Sequence, residues 1–275
     1  MHPIAFARHK IEGARFRAYD SLRVRRDCVI GGETLRVEAD NPGELYRIRR
    51  YMTHEPDTIQ WLSEYVKPGQ VFYDIGANIG VYSLFVAKRL HGQARVFAFE
   101  PESQNYASLN RNVHINGLSE SVSTLCMAVS SSYSVDSFYV RGHLRAGEAI
   151  HQFGRRVDHL GNPFNPVHQQ GMIGVSMDSL CGELGMPVPN HVKIDVDGHE
   201  LSVIRGAARV LRDPALQSVQ IEITELDGNE AEVEEIYRAF EQSGFDSMHR
   251  QAVTLGVARS HSYNTLFVRR GAALR

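Results

Sequence analysis

Short apolar runs rich in β-branched and aromatic residues alternate with amphipathic segments along most of this chain of 275 residues. The predicted strands are 71–75, 96–99, 122–126, 192–196, 219–223, 245–248 and 265–268. The predicted helices between them are 81–90, 102–115, 200–211 and 230–243. Strands and helices in alternation predict a doubly wound, mostly parallel α/β sheet that carries its binding groups at the carboxyl ends of the strands.

Residues 1–50 are predicted to form an extension in front of a main domain at 51–275. Alternating polar and apolar residues on both sides of Gly31-Gly32 predict a β-hairpin within residues 22–39. Arg and Lys outnumber Asp and Glu in this extension. The excess leaves two interpretations open: a solvated or subunit-contact face of a homo-oligomer, or recognition of a phosphate-bearing acceptor.

The composition argues against several classes of protein. A formal net charge of −2 provides no global basic field for nucleic acid. No stretch of about 18 apolar residues predicts a membrane span, and the first residues lack the apolar core of a secretory signal, so a cytoplasmic location is expected. The spacing of Cys28, Cys126 and Cys181 indicates neither a disulfide framework nor a zinc site.

Residues 141–174 differ in character from the rest of the chain. This stretch is rich in turn residues and contains four histidines: His143, His151, His159 and His168. A long insertion of this kind between core elements is either a lid over an acceptor site or a surface excursion. We expect the lid.

A glycine-containing turn, Asp74-Ile75-Gly76-Ala77-Asn78-Ile79-Gly80, joins the first core strand to the following helix. Glycines in such a turn let a ligand approach the bare main chain. The spacing differs from the G-x-G-x-x-G of nicotinamide and flavin proteins, because the third glycine is missing and an acidic residue opens the motif. A cationic amino-acid tail suits Asp74 better than a pyrophosphate does.

Glu100 and Pro101 follow the second core strand. An acidic side chain roughly 20 residues past the glycine turn is placed to accept hydrogen bonds from ribose hydroxyls. The two motifs together predict a nucleoside-binding site.

Several motifs resemble the FkbM family of methyltransferases over roughly residues 51–268. They are the turn Asp74–Gly80 with Tyr82-Ser83, the run Ala98-Phe99-Glu100-Pro101, Leu109 with Asn112 and Asn116, the block Lys193-Ile194-Asp195-Val196-Asp197-Gly198-His199-Glu200, and Val203-Ile204-Arg205-Gly206-Ala207. The resemblance implies the class I, Rossmann-like methyltransferase fold. It also implies S-adenosylmethionine as cofactor and a hydroxyl of a sugar or secondary metabolite as acceptor.

The resemblance further implies which residues contact the cofactor. The turn would surround the methionine end, Glu100 would hold the ribose, and residues 127–129 would form the adenine wall. The full expected set is Glu55, Asp74, Gly76, Ala77, Asn78, Gly80, Tyr82, Ser83, Glu100, Pro101, Ala128, Val129 and Asp195. The family usually has Glu where Asp197 stands, so the carboxylate has a shorter reach in this chain.

Methyl transfer to a hydroxyl requires a base that removes the acceptor proton. Asp195 and His199 are the candidates. For Asp197 and Glu200, a role in capping the next helix and a role in function are equally open. A divalent metal held by oxygen ligands such as Asp195, Asp197 and Glu222 is a less favoured route to the same activation.

Two other functions remain open at this point. One is a non-catalytic nucleoside-binding or scaffold protein on the same fold, because a fold does not dictate a function. The other, disfavoured by the missing third glycine, is a nicotinamide-dependent oxidoreductase.

Overall fold

The computed structural model describes residues 12–15, 18, 22–53, 55–253 and 261–272. The first residues, on which the expectation about a secretory signal rests, lie outside this part of the chain. The helices are α1 Pro42–Thr53, α2 Pro56–Tyr65, α3 Val81–Arg89, α4 Ser103–Ile115, α5 Met177–Gly182, α6 Glu200–Arg205 and α7 Glu230–Gln242, with a 3-10 turn at Val210–Arg212. The strands are β1 Arg25–Ile30, β2 Glu33–Glu38, β3 Val71–Ile75, β4 Arg95–Phe99, β5 Val122–Leu125, β6 Ala128–Val129, β7 Ser134–Val140, β8 Gln152–Phe153, β9 His168–Val175, β10 His191–Ile194, β11 Ser218–Glu225, β12 Phe245–Val253 and β13 His261–Arg269.

The central sheet has seven strands in the order β12-β13-β11-β10-β3-β4-β5. The five strands from β11 to β5 are parallel, whereas β13 runs antiparallel to both of its neighbours. Ile75 pairs with Ile194 on one side and with Phe99 on the other, so β3, β4 and β10 end at the same level. The predicted doubly wound, mostly parallel sheet is confirmed.

Helices cover both faces of this sheet. One hydrophobic core contains buried side chains of α2, α3 and α4, and the other contains those of α5, α6 and α7. The predicted hairpin is confirmed as β1 and β2, and its Leu35 and Val37 are fully enclosed in the first core together with Trp61 and Phe85. The hairpin therefore shares its core with the sheet.

The segment from 141 to 174 is more regular than predicted. Strand β8 and nearly all of β9 lie inside it, and they form a second, four-stranded sheet in the order β6-β9-β7-β8. Only one face of this sheet is buried, and β9 starts with the polar residues His168, Gln169 and Gln170. Such a strand lacks a strong apolar pattern and depends on pairing with a distant partner.

The predicted helix over 200–211 is wrong in its second half. Helix α6 ends at Arg205, and the chain then passes through Gly206 to the 3-10 turn. A Cβ atom at Gly206 would lie 2.1 Å from the carbonyl oxygen of Ser130, so this end of α6 presses against the loop after β6. That close contact is a tertiary feature without a local sequence signal.

Candidate active site

A cavity of about 820 Å³ opens at the carboxyl ends of β3, β4, β10 and β11. Ile75, Phe99, Asp195 and Glu222 line it from these strand ends. Its volume falls within the range of small-molecule sites, roughly 300–1,000 Å³. Helix α1 and part of the 141–174 segment close the opposite side. The position agrees with the rule for open α/β sheets.

The glycine turn brings β3 against the end of β10. Gly76 has φ of 82°, and a Cβ atom there would lie 1.8 Å from the carbonyl oxygen of Asp195. Only glycine permits this approach. The next bend places Asn78 at φ 51°, where its backbone N–H donates to the Glu100 carboxylate at 2.8 Å. The turn and the end of β4 are thus held together.

Glu100 is a buried carboxyl group on the cavity wall. One of its oxygens accepts from the backbone N–H of Glu102 at 2.9 Å, and the other accepts from Asn78. Burial raises the pKa of Glu100 to about 7, although these two hydrogen bonds oppose the shift. Apolar surface from Phe99, Met127 and Val129 lies on the same wall.

Beneath the turn lies a second set of polar side chains. The Asp74 carboxylate is fully buried and accepts hydrogen bonds from the backbone N–H and the hydroxyl of Ser83, at 3.1 and 2.6 Å. The ammonium of Lys193 lies 4.9 Å from the ring centroid of Tyr82 and 2.9 Å from Asp195 Oδ2. The Tyr82 hydroxyl donates to Glu55. These contacts tie β3, α3 and β10 together.

Carboxylates gather where β10 ends and at the neighbouring position of β11. Asp195 and Asp197 follow β10, Glu222 lies within β11, and all three line the cavity. Burial, reinforced by the charges of the two aspartates, raises the pKa of Glu222 well above its usual value. The Asp197 carboxylate accepts from the backbone N–H of Ile150 at 2.7 Å. This end of the cavity is acidic.

His199 and Glu200 have defined structural partners. Glu200 accepts from the backbone N–H of Gly198 at 3.0 Å, so it holds the loop before α6, and no side chain of the described residues caps this helix by a hydrogen bond. The His199 Nε2 atom accepts from the backbone N–H of Phe153 at 3.3 Å. Burial lowers the pKa of His199 to about 4, so the ring is neutral near pH 7. The proton of the neutral ring must then be on Nδ1.

The 141–174 segment is tied to the glycine turn and to α1. The Asn105 side chain accepts from the backbone N–H of Gly147 at 2.7 Å and donates to the Glu148 carbonyl at 3.1 Å. The same carbonyl accepts from the Asn78 side chain at 2.9 Å, and the Gly147 carbonyl accepts from Arg47 at 3.0 Å. These bonds hold the segment over the cavity.

A comparison with known protein families assigns this chain to one of them. The methyltransferase FkbM domain matches residues 74–247, which is more than half of the chain. The chain belongs to the FkbM methyltransferase family. The resemblance stated from the sequence is confirmed, and the chain is a methyltransferase with the class I fold.

Two relatives in the FkbM methyltransferase family have described activities. Hexuronic acid methyltransferase AglP of Haloferax volcanii is 30% identical over 200 residues, which cover 72% of this chain and 72% of the relative. The 31-O-demethyl-FK506 methyltransferase FkbM of Streptomyces tacrolimicus is 24% identical over 212 residues, covering 71% of this chain and 78% of the relative.

A solved structure shares the fold. The crystal structure of PH0793 from Pyrococcus horikoshii matches 89% of this chain and 72% of its own, with a TM-score of 0.50 and 13% sequence identity. At that identity the likeness is one of fold.

Most of the residues expected to contact the cofactor lie together on the cavity wall. These are Glu55, Gly76, Asn78, Glu100, Pro101, Ala128, Val129 and Asp195, and His199 lines the same cavity. The remaining five are not on the wall: Asp74, Ala77, Gly80, Tyr82 and Ser83. All five are buried beneath or behind the turn, and a Cβ atom at Gly80 would lie 2.3 Å from Leu109. These five residues hold the turn, and their direct contact with the cofactor stays a prediction.

Three arginines of the cavity wall were not singled out from the sequence: Arg47, Arg141 and Arg145. Two signals could have found them. Arg47 lies in the arginine-rich first 50 residues, and Arg141 and Arg145 lie in the predicted lid.

Two of the four histidines of that predicted lid, His151 and His159, line the cavity. The other two, His143 and His168, are exposed and lie outside this lining.

No helix in the described part of the chain has the length and apolar character to cross a membrane. Within the same residues, no group of three or more His, Cys, Asp or Glu side chains is arranged to hold a metal ion.

Proposed function

We propose that this FkbM methyltransferase uses S-adenosylmethionine to methylate a hydroxyl group of a sugar or secondary metabolite. The observation that carries the proposal is the buried Glu100 carboxylate, which follows β4 and lines the cavity beside the glycine turn. A carboxylate at this place in an open α/β sheet accepts hydrogen bonds from ribose hydroxyls.

The chemistry of the cavity wall fits such a cofactor. Glu100 offers the ribose acceptor, and Phe99, Met127 and Val129 offer an apolar wall for a base. The carboxylates Asp195 and Glu222 suit a ligand with positive charge. When bound, S-adenosylmethionine supplies a methyl group on a positively charged sulfur.

Asp195 is the better candidate for the group that takes the acceptor proton. Its side chain is 26% exposed on the cavity wall, and the ammonium of Lys193 lies 2.9 Å from its Oδ2 atom and fixes its position. His199 is neutral, but the lone pair of its Nε2 atom is engaged by the Phe153 N–H. We therefore assign proton removal to Asp195 and the positioning of β8 to His199.

The relatives support an oxygen acceptor on a small molecule. One is described as acting on hexuronic acid and the other on 31-O-demethyl-FK506. Both descriptions name oxygen-rich compounds of low molecular weight. We extend that class of acceptor to this chain.

The test is incubation with methyl-labelled S-adenosylmethionine and a panel of hydroxylated sugars and metabolites, followed by mass spectrometry of the labelled product. We expect an O-methyl product. Asp195→Asn should lower the rate by about 10²–10⁴-fold with little change in cofactor affinity. His199→Gln should lower it by less than about 10-fold, because the amide oxygen still accepts from Phe153.

Three results would change the assignment. Binding of cofactor without transfer to any acceptor would favour a non-catalytic role. A full rate in Asp195→Asn with a large loss in His199→Gln would exchange the two roles. A rate that a chelator abolishes and Mg²⁺ restores would make Asp195 a metal ligand instead of a base.

A further inference from the structure

Three arginines line the cavity: Arg47 of α1, and Arg141 and Arg145 of the 141–174 segment (the covering segment). Two carboxylates of the covering segment, Asp158 and Glu148, also line the cavity, and they pair with Arg141 and Arg145. Arginine side chains on a cavity wall favour a ligand group that carries negative charge.

Arg141 is held in a fixed orientation. Its guanidinium donates to Asp158 Oδ2 at 2.8 Å, and Asp158 is only 4% exposed. The other Asp158 oxygen already accepts from the backbone N–H groups of Leu160 and Asn162, at 3.0 and 2.9 Å. The Arg141 side chain itself is 40% exposed. One edge of the guanidinium is therefore anchored while the side chain stays accessible.

Arg145 is arranged in a similar way. Its Nε atom donates to the Glu148 carboxylate at 2.7 Å, and its side chain is 37% exposed. A guanidinium has five N–H donors and no acceptor, so one such bond leaves most of its donors for a ligand.

His151 adds a neutral donor to the same wall. The backbone N–H of Arg141 donates to His151 Nδ1 at 3.1 Å. Burial, and to a lesser degree the charge of Arg47, lowers the pKa of His151 to about 4. The neutral ring must then carry its proton on Nε2, because Nδ1 is accepting.

The Nε2 atom of His151 is buried and has no hydrogen-bond partner within the described part of the chain. The residue is 7% exposed and belongs to the cavity lining. A buried donor without a partner costs free energy unless a ligand accepts from it. This observation is independent of the arginine side chains, and the bond from the Arg141 N–H places His151 beside one of them.

We propose that the cavity binds an anionic group of the acceptor, a carboxylate or a phosphate, through Arg141, Arg145 and His151. The inference rests on the proposed function and specifies its substrate class: an acidic or phosphorylated sugar or metabolite. Arginine guanidinium groups are the donors best matched to the planar carboxylate and to phosphate. The anion positions the acceptor and is not itself assigned as the methylated group.

The experiment measures binding to the whole chain saturated with S-adenosylhomocysteine. Calorimetry compares glucuronate, glucose 6-phosphate and glucose, which share a ring and differ in charge. We expect at least one of the two anionic sugars to bind about ten-fold more tightly than glucose or better. The preferred anion distinguishes a carboxylate subsite from a phosphate subsite. Higher salt should weaken the preference.

Matched variants locate the subsite. In Arg141→Gln and in Arg145→Gln, the ratio of the affinity for the anionic sugar to the affinity for glucose should fall by about ten-fold. The affinity for S-adenosylhomocysteine should stay unchanged. Arg156→Gln is the control, because Arg156 is an exposed arginine of the same segment outside the cavity lining. It should bind like the wild type.

Two outcomes would overturn the inference. One is equal affinity for the three sugars, or no detectable binding of any of them at roughly 10 mM. The other is a fall in S-adenosylhomocysteine affinity in Arg141→Gln and Arg145→Gln, which would assign the arginines to the cofactor's own carboxylate. A wild-type chain that does not bind S-adenosylhomocysteine would instead contradict the proposed function.

Discussion

Burial gives the Glu100 carboxyl group an unusual protonation range. Its pKa is raised to about 7, so acidification below neutral pH converts the carboxylate into a neutral acid. A carboxylate accepts hydrogen bonds from hydroxyls more strongly than a neutral carboxyl group does. We expect affinity for S-adenosylhomocysteine to fall several-fold as the pH drops from about 8 to about 6. Calorimetry at a series of pH values measures this.

Glu100→Gln is the matched control for that prediction. The amide keeps the size of the side chain but does not titrate, so the variant should bind about 1–3 kcal/mol more weakly at high pH and show no step near neutrality. A wild-type affinity that is flat over this range, or a step that persists in the variant, would assign the pH dependence to another group.

Glu100 and Asp195 were predicted as site residues from their places at the ends of strands, and both line the cavity. Asp74 and Ser83 were predicted from the glycine turn and the helix after it, but they face each other beneath the turn. Which of these side chains contact the cofactor stays a prediction. A motif shows that a turn is present, but it does not show which of its side chains reach the ligand.

At the scale of elements, the contact between the covering segment and α1 depends on Gly147. A Cβ atom there would lie 2.3 Å from the Gly43 carbonyl carbon and 2.4 Å from the Glu44 nitrogen. These are backbone atoms of α1, which cannot move aside as the end of a flexible side chain can. Gly147→Ala should therefore lift the segment off α1, with faster hydrogen exchange over residues 145–151 and a higher KM for the acceptor.

Gly161→Ala provides the control within the same segment. Gly161 has φ of 79°, close to the 86° of Gly147, but a Cβ atom there meets nothing within 4 Å. Its cost is the left-handed backbone alone, about 1 kcal/mol, or roughly 2–4 °C in Tm. Equal exchange rates in the two variants would show that the segment does not depend on this contact.

The elements of the central sheet were largely predictable because each has a strong local pattern. Strand β3 begins and ends where predicted, and α3 and α4 differ from prediction by a residue. The second sheet was not predictable, because the polar start of β9 pairs with β7 some 30 residues away. Local periodicity carries no information about such pairing.

In the whole molecule, the charged groups of the cavity come from distant parts of the chain. Asp195 and Glu222 come from the parallel strands, whereas the arginines come from α1 and the covering segment. Arg47 and Arg141 lie far apart in the sequence, so only the folded chain shows that both line the same cavity. The acceptor side of the site is therefore the part that sequence reasoning could not supply.

The assignment of S-adenosylmethionine as cofactor is tested by calorimetry of S-adenosylhomocysteine and NAD with the wild-type chain. We expect micromolar or tighter binding of S-adenosylhomocysteine, a higher Tm in its presence, and weak binding of NAD at most. Tight binding of NAD, or no binding of S-adenosylhomocysteine at millimolar concentration, would show that the assignment is wrong.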